Sequence, residues 1–519
     1  LTASSPVTFA VNTASGGDLT ANATESAAAN DNITVNAGVT VQSTAGDVTF
    51  NAGDDIVLTD NTSIVSATGA NGDVTFNSGV ADTDNVGIQT LNGQINANTT
   101  NGVVTLNLNA DGSATQNANG QITGTNLRLL STGTDGSFAL ATSANNDVDV
   151  IAAATTGAIN FRDDDGVTVG TVTTVGITTS DDAVTINSSN GTGGTITVSQ
   201  AITTAGTGTT GAVELNGNVV VNASLTAAGG TITLNGQNGT NSDLVINAAV
   251  TSAASIDWTV QRDIIINATV QTTAAGSDIT LTADSDNLPA DGLGAGGVRV
   301  TTAGQVNAVD EVTITGSDLF ATGAGAAPID SVDIQQDGAN AQVTAGGNIG
   351  IASGANAAAN ANVRIAGIVQ STGAGNVTIN ANNDLLISVD GDVTSAGGSL
   401  DLDAGQDILI DSGVQVTTTG AGTIDADAVR AISISGAATL VQTVNGNLDL
   451  TANAGGLAGN FDGISIDNSD LTATSGTILL TGTGGNSAGN NGISLSNGAT
   501  VITTDGSSGT ITFDGDTAG

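Results

Sequence analysis

Apolar and polar residues alternate along this chain in short runs, and nowhere do they fall at helical spacing. Val48 and Phe50 share one side with Thr49 opposite, Val74 and Phe76 repeat the pattern around Thr75, and Ile264 and Ile266 bracket Ile265. Period two predicts β-strands with one buried face. The runs are too short for stable helices, and Gly, Asn, Asp and Ser separate them as turn formers. The Ala-rich stretch 354–362 lacks an apolar stripe and reads as an irregular turn.

The runs recur in threes. GDVTFNAGDDIVLTDNTSIVSATGANG begins at 46, GNVTINANNDLLISVDGDVTSAG at 375 and GSLDLDAGQDILIDSGVQVTTTGAG at 398. Each holds V-x-[FIL]-N or a close variant, then [DN]-[ILV]-x-[ILV], then [VIL]-x-[ST]. First-run anchors include Val48, Val74, Val104, Leu127, Val184, Val213, Ile232, Ile279, Val312, Val377, Leu400, Ile424, Leu448, Ile478 and Ile511. From Val377 to Leu448 successive anchors lie 23, 24 and 24 residues apart. Degenerate copies are expected near Ile159, Trp258 and Val332. A strand-built repeat of roughly 23–30 residues predicts a β-solenoid of about 18–20 three-strand coils. At the spacing between strands, such a stack makes a rod roughly 85–95 Å long.

Composition sharpens this picture. Across 519 residues there are 3 prolines and no charge block or linker, so residues 1–519 read as a single continuous solenoid. Aromatic residues make up 2%, as a thin aliphatic interior would require. There is no Cys, His, Lys, Met or Tyr, and the six basic residues are all Arg. The net charge of −43 is carried almost wholly by Asp, much of it turn chemistry. Such a surface repels nucleic acid and anionic membranes, and no apolar run is long enough to span a bilayer. The chain opens on Leu1 and closes on Gly519 without recognisable caps, so it reads as a processed chain or as a segment of a much longer one.

With its repeat G-x-V-x-L-x-A-G-x-D-I-x-L-x-x-x-x-x-V-x-T-x-x-G, best at 375–410 and 46–69, the chain resembles the filamentous-haemagglutinin-like adhesins and related autotransporter passengers. The resemblance extends to most coils. It implies a right-handed parallel β-helix, export from a prokaryotic cell and display at the cell surface. The secretion motif NPNG or NPNL is absent, which leaves the export route open.

Several residue sets are candidates for more than folding. Outward threonines (Thr49, Thr75, Thr105, Thr185, Thr233, Thr280, Thr313, Thr378, Thr512) form a stripe of the kind that can order ice, although β-propensity alone explains it. Asn51, Asn77, Asn107, Asn187, Asn216, Asn235 and Asn380 follow the first run and would stack their amides as structural ladders. Asp55, Asp243, Asp263, Asp384 and Asp407 precede the second run, as solvated corner caps or hard-cation ligands. The densest acidic loops are Asp163, Asp164 and Asp165, and Asp284, Asp286 and Asp291. They are candidates for low-affinity calcium, without EF-hand or calcium-nonapeptide spacing. Val220, Val245, Ile265, Leu386 and Leu409 would face outward as an apolar lateral-contact face.

These observations favour an extracellular structural or adhesive rod. Its partners would be other copies of itself, joined head to tail or laterally, or surface glycans and other cells. A filament or sheath subunit is the nearest alternative. A carbohydrate-active β-helix enzyme and an ice-binding solenoid stand in other classes. Catalysis has little to work with: Trp258, Asp257 and Arg262 form the one local group of varied chemistry, so no enzyme and no dedicated cofactor are expected.

Overall fold

Alternation at period two becomes parallel β-structure, broken among the described residues by one short antiparallel hairpin. The computed structural model describes every residue except 5, 27–29, 82–86, 181, 189–193, 207–209, 237–242, 284–295, 318–328, 336–340, 355–360, 505–508 and 519. Asp284, Asp286 and Asp291, and most of the Ala-rich stretch, lie outside the described residues. No described helix is long and apolar enough to cross a membrane. The chain is an all-β parallel solenoid divided into two units, Leu1–Ser242 with Asn247–Ala254, and Asp243–Ile246 with Ser255–Gly519.

The second unit is the more regular. Its ladder P starts at Ile256–Val260, takes up Ile279–Thr282 and Val312–Gly316, and ends at Ile511–Thr517. Ladder Q runs from Leu244–Ile246 to Ile493–Ser496 and ladder R from Thr269–Thr272 to Thr500–Thr503. From Ile256 to Thr503 each coil contributes one strand to each in the order P, Q, R. Inward residues such as Ile424, Leu448, Ile408 and Val416 are fully buried, each worth about 1.5–3 kcal/mol relative to exposure. Val332 pairs with Val298 and Val363 on ladder Q. The coil that holds Val332 starts at the anchor Val312, and the degenerate first strand is instead Ile349–Ser353 on the next coil, paired with Val312–Gly316 and Val377–Ala381 on ladder P.

The first unit begins with the same three-sided plan. Ladder A holds Leu19–Ala23, Val48–Ala52, Val74–Ser78 and Val103–Leu108. Ladder B holds Ile33–Val35, Ile56–Leu58 and Gln89–Leu91, and ladder C holds Thr40–Ser43, Ile64–Ala67 and Gln94–Asn96. Phe9, Phe50 and Phe76 stack inside, with centroids 5.5 and 5.1 Å apart. These rings fill the space that aliphatic residues occupy elsewhere.

The plan then changes. Gln121–Ser131 and Asp147–Thr155 are long strands that serve ladders C and A together. On the next coil Val150 and Ile151 pair with Thr168 and Val169, whereas Ala153–Thr155 pair with Ile177–Thr179. Ladder A therefore splits into two faces. A small antiparallel hairpin, Thr171–Val172 against Thr174–Val175, is extruded at the new corner, with Thr173 at φ 59°.

Ladder B continues unbroken through this change, from Phe138 to Ile159 to Val184. The anchors Val48, Val74, Val104 and Leu127 thus lie on ladder A, whereas Val184, Val213 and Ile232 lie on ladder B. The single first-run series, and with it the single threonine stripe, is in this unit two series on two faces. Both faces carry the same in–out alternation, which is why the sequence pattern cannot tell them apart.

Corners explain much of the aspartate. Where a ladder opens, the next backbone N–H would lose its partner, and the carboxylate one coil below accepts it. Asp47 N–H donates to Asp18 (3.1 Å), Asp73 N–H to Asp47 (2.9 Å) and Val103 N–H to Asp73 (2.8 Å). In the second unit Asp263 N–H donates to Asp243, Gly297 N–H to Asp263 and Asp407 N–H to Asp384.

Candidate functional site

The termination of ladder C gathers the most varied chemistry in the first unit. Its last residues are Asp147 and Val148, paired with Thr123 and Gly124. Just before them Asn146 turns fully inward. Its Nδ2 donates to Gln116 Oε1, the Leu140 carbonyl and the Arg162 carbonyl (3.0–3.1 Å), and its Oδ1 accepts Ile122 N–H and Gln116 Nε2 (3.0 and 2.8 Å). One amide thus closes the end of a face by meeting backbone groups that a further strand would have met.

Above this plug passes the acidic loop after Ile159–Asp163. Asp163 is fully buried, and its carboxylate accepts N–H bonds from Val148 (3.1 Å), Gly166 (2.9 Å) and Asp165 (3.4 Å). Burial pushes its carboxyl up to about 7 against these donors. Asp164 and Asp165 point elsewhere. One carboxylate oxygen from each lies within 4.8 Å of the other and of one from Asp147. Asp147 and Asp164 are held above the usual carboxylate range, first by burial and then by their acidic neighbours.

Three oxygens so placed could occupy part of the coordination shell of a hard cation such as calcium. The run Asp163–Asp165 is therefore divided: Asp163 caps backbone, and Asp147, sixteen residues upstream, takes its place beside Asp164 and Asp165. The available signal was Asn145-Asn146-Asp147, a polar break in the repeat.

The asparagines form separate spines. On ladder A, Asn51 donates to Asn22, Asn77 to Asn51 and Asn107 to Asn77, at 2.7, 2.7 and 3.0 Å. Asn107 Oδ1 is buried without a partner, because its register neighbour above is Leu130. On ladder B, Asn216 donates to Asn187 and Asn235 to Asn216, at 2.8 and 2.9 Å. Asn380 stands between Ala352 and Asp403 and belongs to neither spine.

The lateral residues are distributed over both units. Val220 lies beside Thr197 in the first. In the second, Val245 pairs with Ile265 and Leu386 with Leu409 on ladder Q. All five are half-buried. Between the two pairs stand Arg299, Asp333 and Arg364 in register, with Asp333 bridged by Arg299 (3.4 Å) and Arg364 (3.7 Å). The face is two apolar patches around a charged centre and not one stripe.

Asp243 and Asp263 do adjoin, and Arg262 stands 3.1 Å from Asp243. Burial raises Asp263 to about 6. Arg430 pairs with Asp407. Trp258 is fully buried with its chain neighbour Asp257 outward, so its indole offers no platform to a sugar. No family model, no curated protein and no solved structure matches this chain.

Proposed function

We propose that this chain is a structural and adhesive solenoid, exported and displayed at a cell surface or assembled into fibres, as its repeat resemblance implies. The observation that supports this reading is the use of chemistry-bearing residues within the stack. Asn spines and Asp corners bond one coil to the next, and Trp258 fills interior space. Stiffness from parallel ladders needs no cofactor. Calcium at Asp147, Asp164 and Asp165 would be a low-affinity accessory that relieves like-charge repulsion.

Negative-stain microscopy of the purified chain tests the structural reading. Narrow rods or fibres are expected, and compact particles would overturn it. Immunolabelling of intact cells tests display, since label confined to permeabilised cells would remove the extracellular part.

A further inference from the structure

A groove on the second unit has the shape and charge of a recognition site. On ladder P, Asp401, Asp425 and Asp449 are register partners, as are Asp403 and Asp427. Five carboxylates therefore stand on the outward face of three successive strands. They repeat at about 4.8 Å between coils and about 6.6 Å along a strand. The described ion pairs of this chain all lie elsewhere, and Asp449 Oδ1 is buried without a hydrogen-bond partner.

Beside this grid opens a cavity of about 650 Å³, lined by Asp403, Asp427, Ala404, Ala428, Val429 and Leu457 among others. Val429 is 53% and Leu457 45% exposed, large values for aliphatic side chains that line one cavity. The segment that carries Leu457 is built rather than loose. Asn453, fully buried at φ 53°, accepts Leu457 N–H at 2.5 Å and donates to the carbonyls of Leu457 (3.2 Å) and Thr483 (2.8 Å).

An apolar floor with an anionic wall complements side chains that are aliphatic along the stem and cationic at the tip, which describes Lys and Arg. Residues i and i+2 of an extended peptide lie about 6.6 Å apart, the spacing of carboxylates along one strand. We infer that this groove binds an extended, lysine- or arginine-bearing peptide segment of another protein, with stems on Val429 and Leu457 and cations on the Asp403–Asp427 wall. A second copy is a poor occupant: this chain has no Lys, and four of its six Arg are already in ion pairs. A bare metal ion is also a poor fit. Among the described residues, three acidic oxygens converge at Asp147, Asp164 and Asp165 and not on this grid. Burial first, and then the neighbouring carboxylates, push Asp425 up to about 6; bound cations would relieve the second of these.

Fluorescence anisotropy with the intact chain and a labelled eight-residue peptide of alternating Lys and Val provides the test, at low salt and with a Lys–Ser peptide as comparison. Asp403→Asn with Asp427→Asn should weaken Lys–Val binding about tenfold. Leu457→Ser should weaken it about fivefold while leaving Lys–Ser binding unchanged. The exposed pair Asp135→Asn with Asp149→Asn removes equal charge elsewhere and should change binding less than about twofold. Equal losses from both double variants would mean that bulk charge alone attracts the peptide, and an unaffected Leu457→Ser would remove the apolar floor. Either result overturns the inference. Far-ultraviolet circular dichroism checks that each variant keeps its strand content.

Discussion

Replacing Asp163 by Asn should make the pH dependence of the first unit's stability measurably flatter. Asp163 is buried with its carboxyl raised from an ordinary 3.8 to about 7. A raised acid binds its proton more tightly in the folded state. Its contribution is therefore fully present below about pH 4 and is lost as pH rises through about 7. Integrating between those two values, ionisation of the folded group costs about 3 kcal/mol between pH 5 and pH 8.5.

The Asn variant carries no such titration. It does lose acceptor capacity toward Gly166 and Asp165 N–H, a pH-independent cost of about 1–2 kcal/mol. The two curves should cross: wild type more stable near pH 5, the variant equal or more stable near pH 8.5. Hydrogen exchange of amides around Val148 and Gly166, read at both pH values, reports this locally and avoids treating a long solenoid as two-state. Parallel curves, or a wild type that gains local protection as pH rises, would refute the reasoning.

Asn77→Ala removes both spine bonds of that residue and should cost about 1–2 kcal/mol in urea unfolding, whereas Asn380→Ala, outside the spines, should stay within about 0.5 kcal/mol. Trp258→Ala empties a fully buried site and should cost about 3–5 kcal/mol by thermal melting; a loss below about 1 kcal/mol would place the indole outside the core. Millimolar calcium should raise amide protection near Asp147 and Asp164, and Asp147→Asn with Asp164→Asn should abolish that increase.

Strand, repeat and interior were legible because each depends on alternation, which a sequence displays directly. Val48, Val74, Ile424 and Leu448 are inward and buried as their spacing requires. The exchange of faces was not legible. Val184-Thr185-Ile186-Asn187 reads like Val48-Thr49-Phe50-Asn51, yet one strand lies on ladder B and the other on ladder A. Nothing in period two labels a face; only the pairing partner does, and that partner lies one coil away. The make-up of the acidic cluster was only partly legible, for a related reason. Asp163, Asp164 and Asp165 are adjacent in sequence, but alternation sends Asp163 inward, and the third outward carboxylate comes from Asp147 on the preceding coil.

The acidity then has two physical origins that should respond differently to substitution. Corner residues such as Asp47 and Asp73 accept a backbone N–H from the next coil, so an uncharged acceptor can do the same work, and Asn32 and Asn348 do so at equivalent corners. Charge at those corners is incidental to the bond. Asp401, Asp425 and Asp449 differ because they stand mid-strand, where the ladder already satisfies the backbone and like charges in register oppose stacking. Stability alone would favour Thr there, as at Thr378 on the preceding coil. A column that opposes its own stacking, set beside exposed Val429 and Leu457, is accounted for by what it meets outside the chain.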